Sequence, residues 1–170
     1  MAPDQNDARA GLFGPARLVI RYWALAGGLI LLALVLVNAV SVTGSALFGS
    51  PFPGDFELTE VGVAIAAFSF LPYCQITGAN VTADIFTSGA SKTWLAIFGL
   101  AGSIVALGFS LLLAWRMYYG MLDQRAYDST TAILQIPTWW AYGACLLSLA
   151  LLAVASFASL VDALHAMSRR

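Results

Sequence analysis

The chain alternates four long uncharged stretches with short clusters of charged residues. A helix needs about 20 apolar residues to cross about 30 Å of hydrocarbon, and each of the four stretches is long enough. The pattern therefore predicts four transmembrane helices, which take up nearly the whole chain and leave no soluble domain. Their predicted spans are about 22–47, 61–82, 93–115 and 139–161.

Composition supports a membrane protein and excludes most soluble classes. Of the 170 residues, 60% are hydrophobic and 10% are charged, whereas a soluble domain carries about 25% charged residues. The net charge of -1 provides no basic field, so nucleic acid is not expected as a partner. We predict an all-α integral membrane protein with one domain, whose surface faces the lipid bilayer or another subunit.

The basic residues predict how the chain is oriented. If residues 1–16 form a cytoplasmic tail, six of the eight Lys and Arg side chains lie on the cytoplasmic side. Cytoplasmic flanks carry an excess of Lys and Arg, so we predict that both termini are cytoplasmic. The six are Arg9, Arg17, Arg21, Lys92, Arg169 and Arg170, against Arg116 and Arg125 on the other side.

All five tryptophans lie near the ends of predicted spans. Indole is apolar with one N–H donor, so it favours the level of the lipid head groups. We predict membrane-interface anchors at Trp23 and Trp94 on the inside and at Trp115, Trp139 and Trp140 on the outside.

The second span carries an internal proline followed by polar residues. Pro72 removes a backbone donor, so we expect a kink there. Polar groups at this depth face protein or water rather than lipid, so part of 75–91 is expected either in a helix contact or along the cytoplasmic surface. Gln75, Asn80 and Asp84 are the candidate contact residues.

The third span carries small residues at helical spacing, which lets helix backbones approach closely. The pattern does not say whether the partner helix is internal or belongs to another protein. The stripe comprises Gly99, Gly102, Ser103, Ala106 and Ser110.

A short amphipathic segment, 116–137, joins spans three and four. We expect a helix that either extends out of the membrane or bends back over its surface. Pro137 suits the first turn of span four.

The sequence offers little chemistry for catalysis, and we predict no enzyme activity, cofactor or metal site. The only histidine is His165, so haem cannot be held by two histidines of one chain. Cys74 and Cys145 share no short spacing and suggest buried apolar thiols. Glu57 and Glu60 are expected to be solvated charges at a helix start, with contact to a partner as the alternative.

Three local patterns resemble the small membrane subunit of tripartite ATP-independent periplasmic (TRAP) transporters, the DctQ-like family. They are the acidic start Glu57-Leu58-Thr59-Glu60, the run from Asn80 to Asp84, and Leu134-Gln135-Ile136-Pro137-Thr138-Trp139-Trp140-Ala141-Tyr142. The last is similar to the family's Ile-Pro-x-Trp-x-x-Tyr. Glu60 and Asp84 match by position, but the family's basic residues in this region are replaced by Cys74, Gln75, Asn80 and Thr82.

The resemblance implies a specific assembly in a bacterial inner membrane. A large membrane subunit would carry the substrate and sodium sites, and a periplasmic binding protein would deliver an organic anion such as a dicarboxylate, a keto acid or sialic acid. The small subunit would scaffold the large one and form part of the periplasmic docking surface. The sequence itself does not name the substrate.

Two other functions stay open at this point. One is a self-contained four-helix transporter or channel that works as a homo-oligomer, which would need a buried ionisable residue at mid-span. The other is the membrane anchor of a redox enzyme, which would need haem or quinone ligands.

Overall fold

Four long helices make up almost all of the fold. The computed structural model describes residues 14–78 and 92–168, and its helices are α1 Gly14–Phe48, α2 Asp55–Thr77, α3 Lys92–Ala126 and α4 Thr138–Ser168. All four are long and apolar enough to cross a membrane. The predicted all-helical fold with four spans is therefore confirmed.

The helix ends differ from the predicted spans, because the charged residues mark where hydrocarbon can end rather than where a helix ends. α1 begins at Gly14, inside the predicted tail, and α3 runs on to Ala126 instead of ending near 115. The amphipathic segment is therefore not a separate helix: its first part, 116–126, continues α3, and 127–137 form a loop.

α2 is displaced towards the N-terminus relative to its prediction. It begins at Asp55 and ends at Thr77, where Gly78 adopts a left-handed conformation with φ 68° and its N–H bonds the carbonyl of Gln75. This is the usual way for a glycine to end a helix. The helix continues through Pro72, which is buried.

The helices form an open row rather than a closed bundle. α2 packs between α1 and α4, and α4 packs against α3, so the order across the row is α1–α2–α4–α3, with only a minor contact between α1 and α4. We call this arrangement the helix row. Most apolar side chains of the two outer helices, α1 and α3, are exposed. For example, Leu29, Val35 and Val105 are 66%, 64% and 69% exposed.

α1 and α2 pack antiparallel with a seven-residue repeat. Gly27 lies against Ser69 and Gly62 against Leu34, and Ser41 bonds Asp55 one repeat further along both helices. Such a repeat is typical of helices that cross at a small angle with a shared seam. The glycines make the approach close: a Cβ on Gly27 would lie 2.8 Å from the Cβ of Ser69.

One hydrogen bond links α1 to α4 across the row. The indole Nε1 of Trp23 donates to Ser148 Oγ at 2.9 Å, and Ser148 is buried. The indole N–H of Trp23 therefore has its hydrogen-bond partner within the protein. Whether Trp23 also acts as an interface anchor stays a prediction.

A double-mutant cycle should detect this bond. Combining Trp23→Phe with Ser148→Ala, we expect a coupling energy of about 0.6 kcal/mol, the usual value for hydrogen bonds between membrane helices. The measurement is unfolding in mixed micelles. As a control, Trp23→Phe combined with Ser103→Ala should show no coupling, because Ser103 bonds its own helix at the Gly99 carbonyl. Equal coupling in the two cycles would contradict the assignment.

Candidate functional site at the loop end

A buried carboxylate joins the start of α2 to the loop that precedes α4. Glu57 is only 8% exposed, and its two carboxylate oxygens accept the backbone N–H groups of Ile133 at 2.7 Å and Leu134 at 2.9 Å. Bonds from amides to an ionised carboxylate are shorter and stronger than neutral ones. We call this contact the Glu57 clamp, and the end of the row that carries loops 49–54 and 127–137 the loop end.

The neighbouring Gly54 brings the two loops into direct contact. It adopts φ +82°, and a Cβ added there would lie 2.5 Å from Leu134 Cγ. Position 54 therefore requires glycine for two reasons. Only glycine adopts this left-handed backbone without strain, and any Cβ would clash with the side chain of Leu134. The N–H of Leu58 donates a hydrogen bond to the Gly54 carbonyl at 3.0 Å, so the same residue also caps the start of α2.

The loop held by the clamp is also tied internally. The N–H of Thr131 bonds the Ile136 carbonyl at 3.1 Å, and the N–H of Ile136 bonds the Thr131 hydroxyl at 3.0 Å. The N–H of Thr138, the first residue of α4, bonds the Ser129 carbonyl at 3.0 Å. These bonds leave the amides of 133 and 134 pointing at Glu57, so one carboxylate completes the loop.

Polar side chains of α1 fix the other loop. The hydroxyl of Ser41, which is buried, donates to the Asp55 carboxylate and accepts the N–H of Phe52 at 3.1 Å. One turn away, the amide of Asn38 donates to Thr59 Oγ1 at 2.8 Å. The ends of α1, α2 and α4 and both loops are thus joined by one set of hydrogen bonds.

The surface of the loop end carries exposed aromatic side chains beside charged ones. Phe48 and Phe56 are 82% and 76% exposed on the first loop and its flanks, and Tyr127 is 81% exposed on the second. The guanidinium of Arg125 lies 5.6 Å from the centre of the Trp139 ring, within cation–π range. A hydrogen-bonded backbone with exposed aromatic side chains is suited to contact with another surface.

The predicted contact residues are scattered over the fold. Glu60 is exposed one turn from the clamp, Pro72 is buried inside α2, and Gln75 is half-buried. Pro137 is half-buried and directly precedes α4, where its carbonyl accepts the Trp140 N–H at 3.1 Å. Asn80 and Asp84 lie outside the described residues.

The small-residue stripe of α3 divides into two parts. Ser103 and Ser110 are buried and Ala106 is half-buried, whereas Gly99 and Gly102 are exposed and a Cβ on either would touch nothing within 4 Å. The serines therefore serve packing within the chain. The glycines lie on open surface.

The predicted tryptophan anchors lie at different distances from the loop end. Trp139 and Trp140 lie in the first turn of α4, Trp139 half-buried and Trp140 60% exposed. Trp115 is 62% exposed, five residues along α3 from the Gly120 that contacts Tyr142, or about 7 Å further from the loop end. Trp94 lies in α3, and its side chain is outside the described set.

The expectation that Glu57 is a solvated charge is wrong. Because loop 127–137 folds back over the start of α2, Glu57 is covered and bonds two amides that no other described group satisfies. Asn38 and Ser41 were also missed as contact residues. Their signal was available, since a polar side chain inside an uncharged apolar stretch needs a partner in the protein.

The described residues show a structural rather than a reactive site. Among them Glu57 is the only buried ionic side chain, and no group of three His, Cys, Asp or Glu side chains is placed to hold a metal. Since backbone amides occupy both carboxylate oxygens, Glu57 is engaged in holding the loop.

The profile of one protein family matches most of the chain. It is described as the DctQ component of the tripartite ATP-independent periplasmic transporters, and it matches residues 34–166. The matched region includes the whole loop end and α2, α3 and most of α4. Neither a curated protein nor a solved structure matches the chain. The family match confirms the resemblance found in the sequence, and the chain belongs to the DctQ family, the small membrane component of TRAP transporters.

Proposed function

We propose that this chain is the scaffold subunit of a sodium-coupled TRAP transporter for an organic anion such as a dicarboxylate, a keto acid or sialic acid. It lies in the bacterial inner membrane with both termini in the cytoplasm. It binds the large membrane subunit, which carries out transport, and its loop end contributes to the periplasmic surface on which the substrate-binding protein docks.

The observation that carries this proposal is the open helix row. A row of four helices encloses no lumen, and its outer helices α1 and α3 present bare apolar faces to lipid or to another subunit. Among the described residues no carboxylate is buried at mid-depth, and a buried carboxylate is the usual group for carrying a proton or cation across a membrane. This arrangement supports a scaffold over a self-contained transporter or channel.

Photo-crosslinking in the membrane tests the scaffold role. A photoreactive amino acid is placed at Val35 on α1 or at Val105 on α3, with the buried Leu149 as the control position. We expect a crosslink to the large subunit from at least one exposed position and none from Leu149. Crosslinks that join only copies of this chain would contradict the proposal and favour the homo-oligomeric alternative.

Cysteine labelling tests the proposed orientation. In a Cys74→Ser, Cys145→Ser background, Ser50→Cys places a thiol in the first loop and Gly14→Cys places one at the start of α1. A membrane-impermeant maleimide added to spheroplasts should label Ser50→Cys and spare Gly14→Cys. The reverse pattern would overturn the orientation.

A further inference from the structure

A groove on the surface of the row combines an apolar floor with two charged residues. It lies between α2, α3 and α4, encloses about 290 Å³, and has Phe68, Leu113 and Leu149 in its apolar part. Arg116, Asp123 and Tyr142 line its end nearer the loops. We call it the α3 groove, and it lies outside the Glu57 clamp and the seam between α1 and α2.

The two charges lie one above the other on the same face of α3. Arg116 and Asp123 are seven residues apart, or about 10 Å along the helix. Both side chains are exposed, and neither forms a hydrogen bond or an ion pair with any residue that the structure describes. Each is therefore available to a ligand that carries the opposite charge.

The charged residues of the groove lie at different distances from the loop end. Gly120 on α3 contacts Tyr142 on α4, and Arg116 is four residues, about 6 Å, further from the loop end. Asp123 is three residues, about 4 Å, nearer to it. A cation at the depth of Arg116 in a membrane requires an anionic partner or a path to the head groups. From the interior outwards the groove thus offers hydrocarbon, a positive charge and a negative charge.

We propose that the α3 groove binds one phospholipid with a primary ammonium head group, of the phosphatidylethanolamine type. In such a lipid, acyl chain, phosphate and ammonium follow one another in the same order. The phosphate lies on the Arg116 guanidinium, the ammonium on the Asp123 carboxylate, and the chain on Phe68 and Leu113. This occupant uses only this chain's residues and is independent of the proposed transport role.

The charge pattern selects among lipids. Phosphatidylglycerol has the phosphate but no ammonium, so Asp123 faces it without a partner and repels its charge. Phosphatidylcholine has a quaternary ammonium that cannot donate a hydrogen bond to the carboxylate. The head-group preference is therefore expected to depend on Asp123, whereas Arg116 supports every phospholipid.

Native mass spectrometry of the full-length chain tests the proposal. The delipidated protein is titrated in mild detergent with the three phospholipids, and bound lipid is counted. We expect Arg116→Gln to weaken the first binding event for all three by about tenfold, as for a lost charged hydrogen bond. Asp123→Asn should abolish the preference for phosphatidylethanolamine over phosphatidylglycerol. Asp128→Asn is the matched control, since Asp128 is also acidic and exposed but lies outside the groove, and should change neither.

Each result of these titrations either supports or overturns the proposed lipid site. Unchanged head-group preference in Asp123→Asn, or unchanged binding in Arg116→Gln, would overturn the proposal. So would loss of the bound lipid from wild-type protein on assembly with the large subunit, because a protein segment would then fill the groove. Circular dichroism of each variant verifies the helical fold, which neither exposed side chain supports through a hydrogen bond among the described residues.

Discussion

Replacing Glu57 by glutamine is expected to release the loop before α4 while leaving the four helices intact. Glutamine keeps the size of the side chain but offers one acceptor oxygen and an NH₂ donor in place of two acceptor oxygens. One of the amides at 133 and 134 would then face a donor, and an unsatisfied amide is costly to keep in place. We expect hydrogen exchange at these two amides to accelerate by at least about tenfold.

Glu60→Gln provides the control for this experiment. Glu60 is also a glutamate in the first turns of α2, but its side chain is exposed and outside the clamp. Its substitution should leave the exchange of 133 and 134 unchanged. If both variants accelerate exchange equally, general loss of negative charge at the start of α2 explains the effect, and the Glu57 clamp does not hold the loop.

Gly27→Leu is expected to separate α1 from α2. A Cβ at position 27 would already lie 2.8 Å from Ser69 Cβ and 3.4 Å from the Ala66 carbonyl oxygen, before the rest of the leucine is added. Overpacking of this kind costs about 1–3 kcal/mol when neighbours can adjust, and here α2 must move as a whole. The measurement is thermal unfolding in detergent, where we expect a clear loss of stability.

The adjacent glycine offers a matched control. A Cβ on Gly28 would meet nothing within 4 Å, so Gly28→Leu adds the same side chain one residue away without a clash. Leucine is a better helix former than glycine, so stability should stay the same or rise. Equal loss in the two variants would show that the close approach of α1 and α2 at Gly27 does not support the fold.

The four spans could be predicted because the cost of placing charge in hydrocarbon is large and local. Each uncharged stretch between charged clusters had to cross the membrane, whatever its neighbours were. The same reasoning misjudged helix ends. α3 continues to Ala126 because charged side chains do not by themselves end a helix, so Arg116, Asp123 and Arg125 lie within it.

The loop end could not be predicted, since its contacts join residues far apart in sequence. Nothing in the sequence near Glu57 indicates that the amides of Ile133 and Leu134 meet it, because every residue except proline has a backbone N–H group. The helix order α1–α2–α4–α3 is likewise a product of packing surfaces that apolar periodicity alone does not distinguish. Family membership was accessible earlier, because Leu134–Tyr142 forms a recognisable local pattern.

The clamp gives the scaffold proposal a physical basis. A subunit that only fills space in lipid needs no fixed loops, whereas a docking surface must hold its shape before its partner arrives. Glu57, Ser41 and Asn38 each fix backbone or side chains at the loop end, and the aromatic residues around them stay exposed. The hydrogen bonds that join α1, α2 and the two loops thus lie at the end where a partner would dock.

Uptake of substrate into proteoliposomes tests the central claim most directly. Vesicles would contain this chain alone, the large subunit alone, or both, with the binding protein, labelled organic anion and an inward sodium gradient outside. We predict uptake only when both membrane subunits and the binding protein are present, and no uptake or substrate binding by this chain alone. Sodium-driven uptake by this chain alone, or full uptake by the large subunit without it, would contradict the scaffold account.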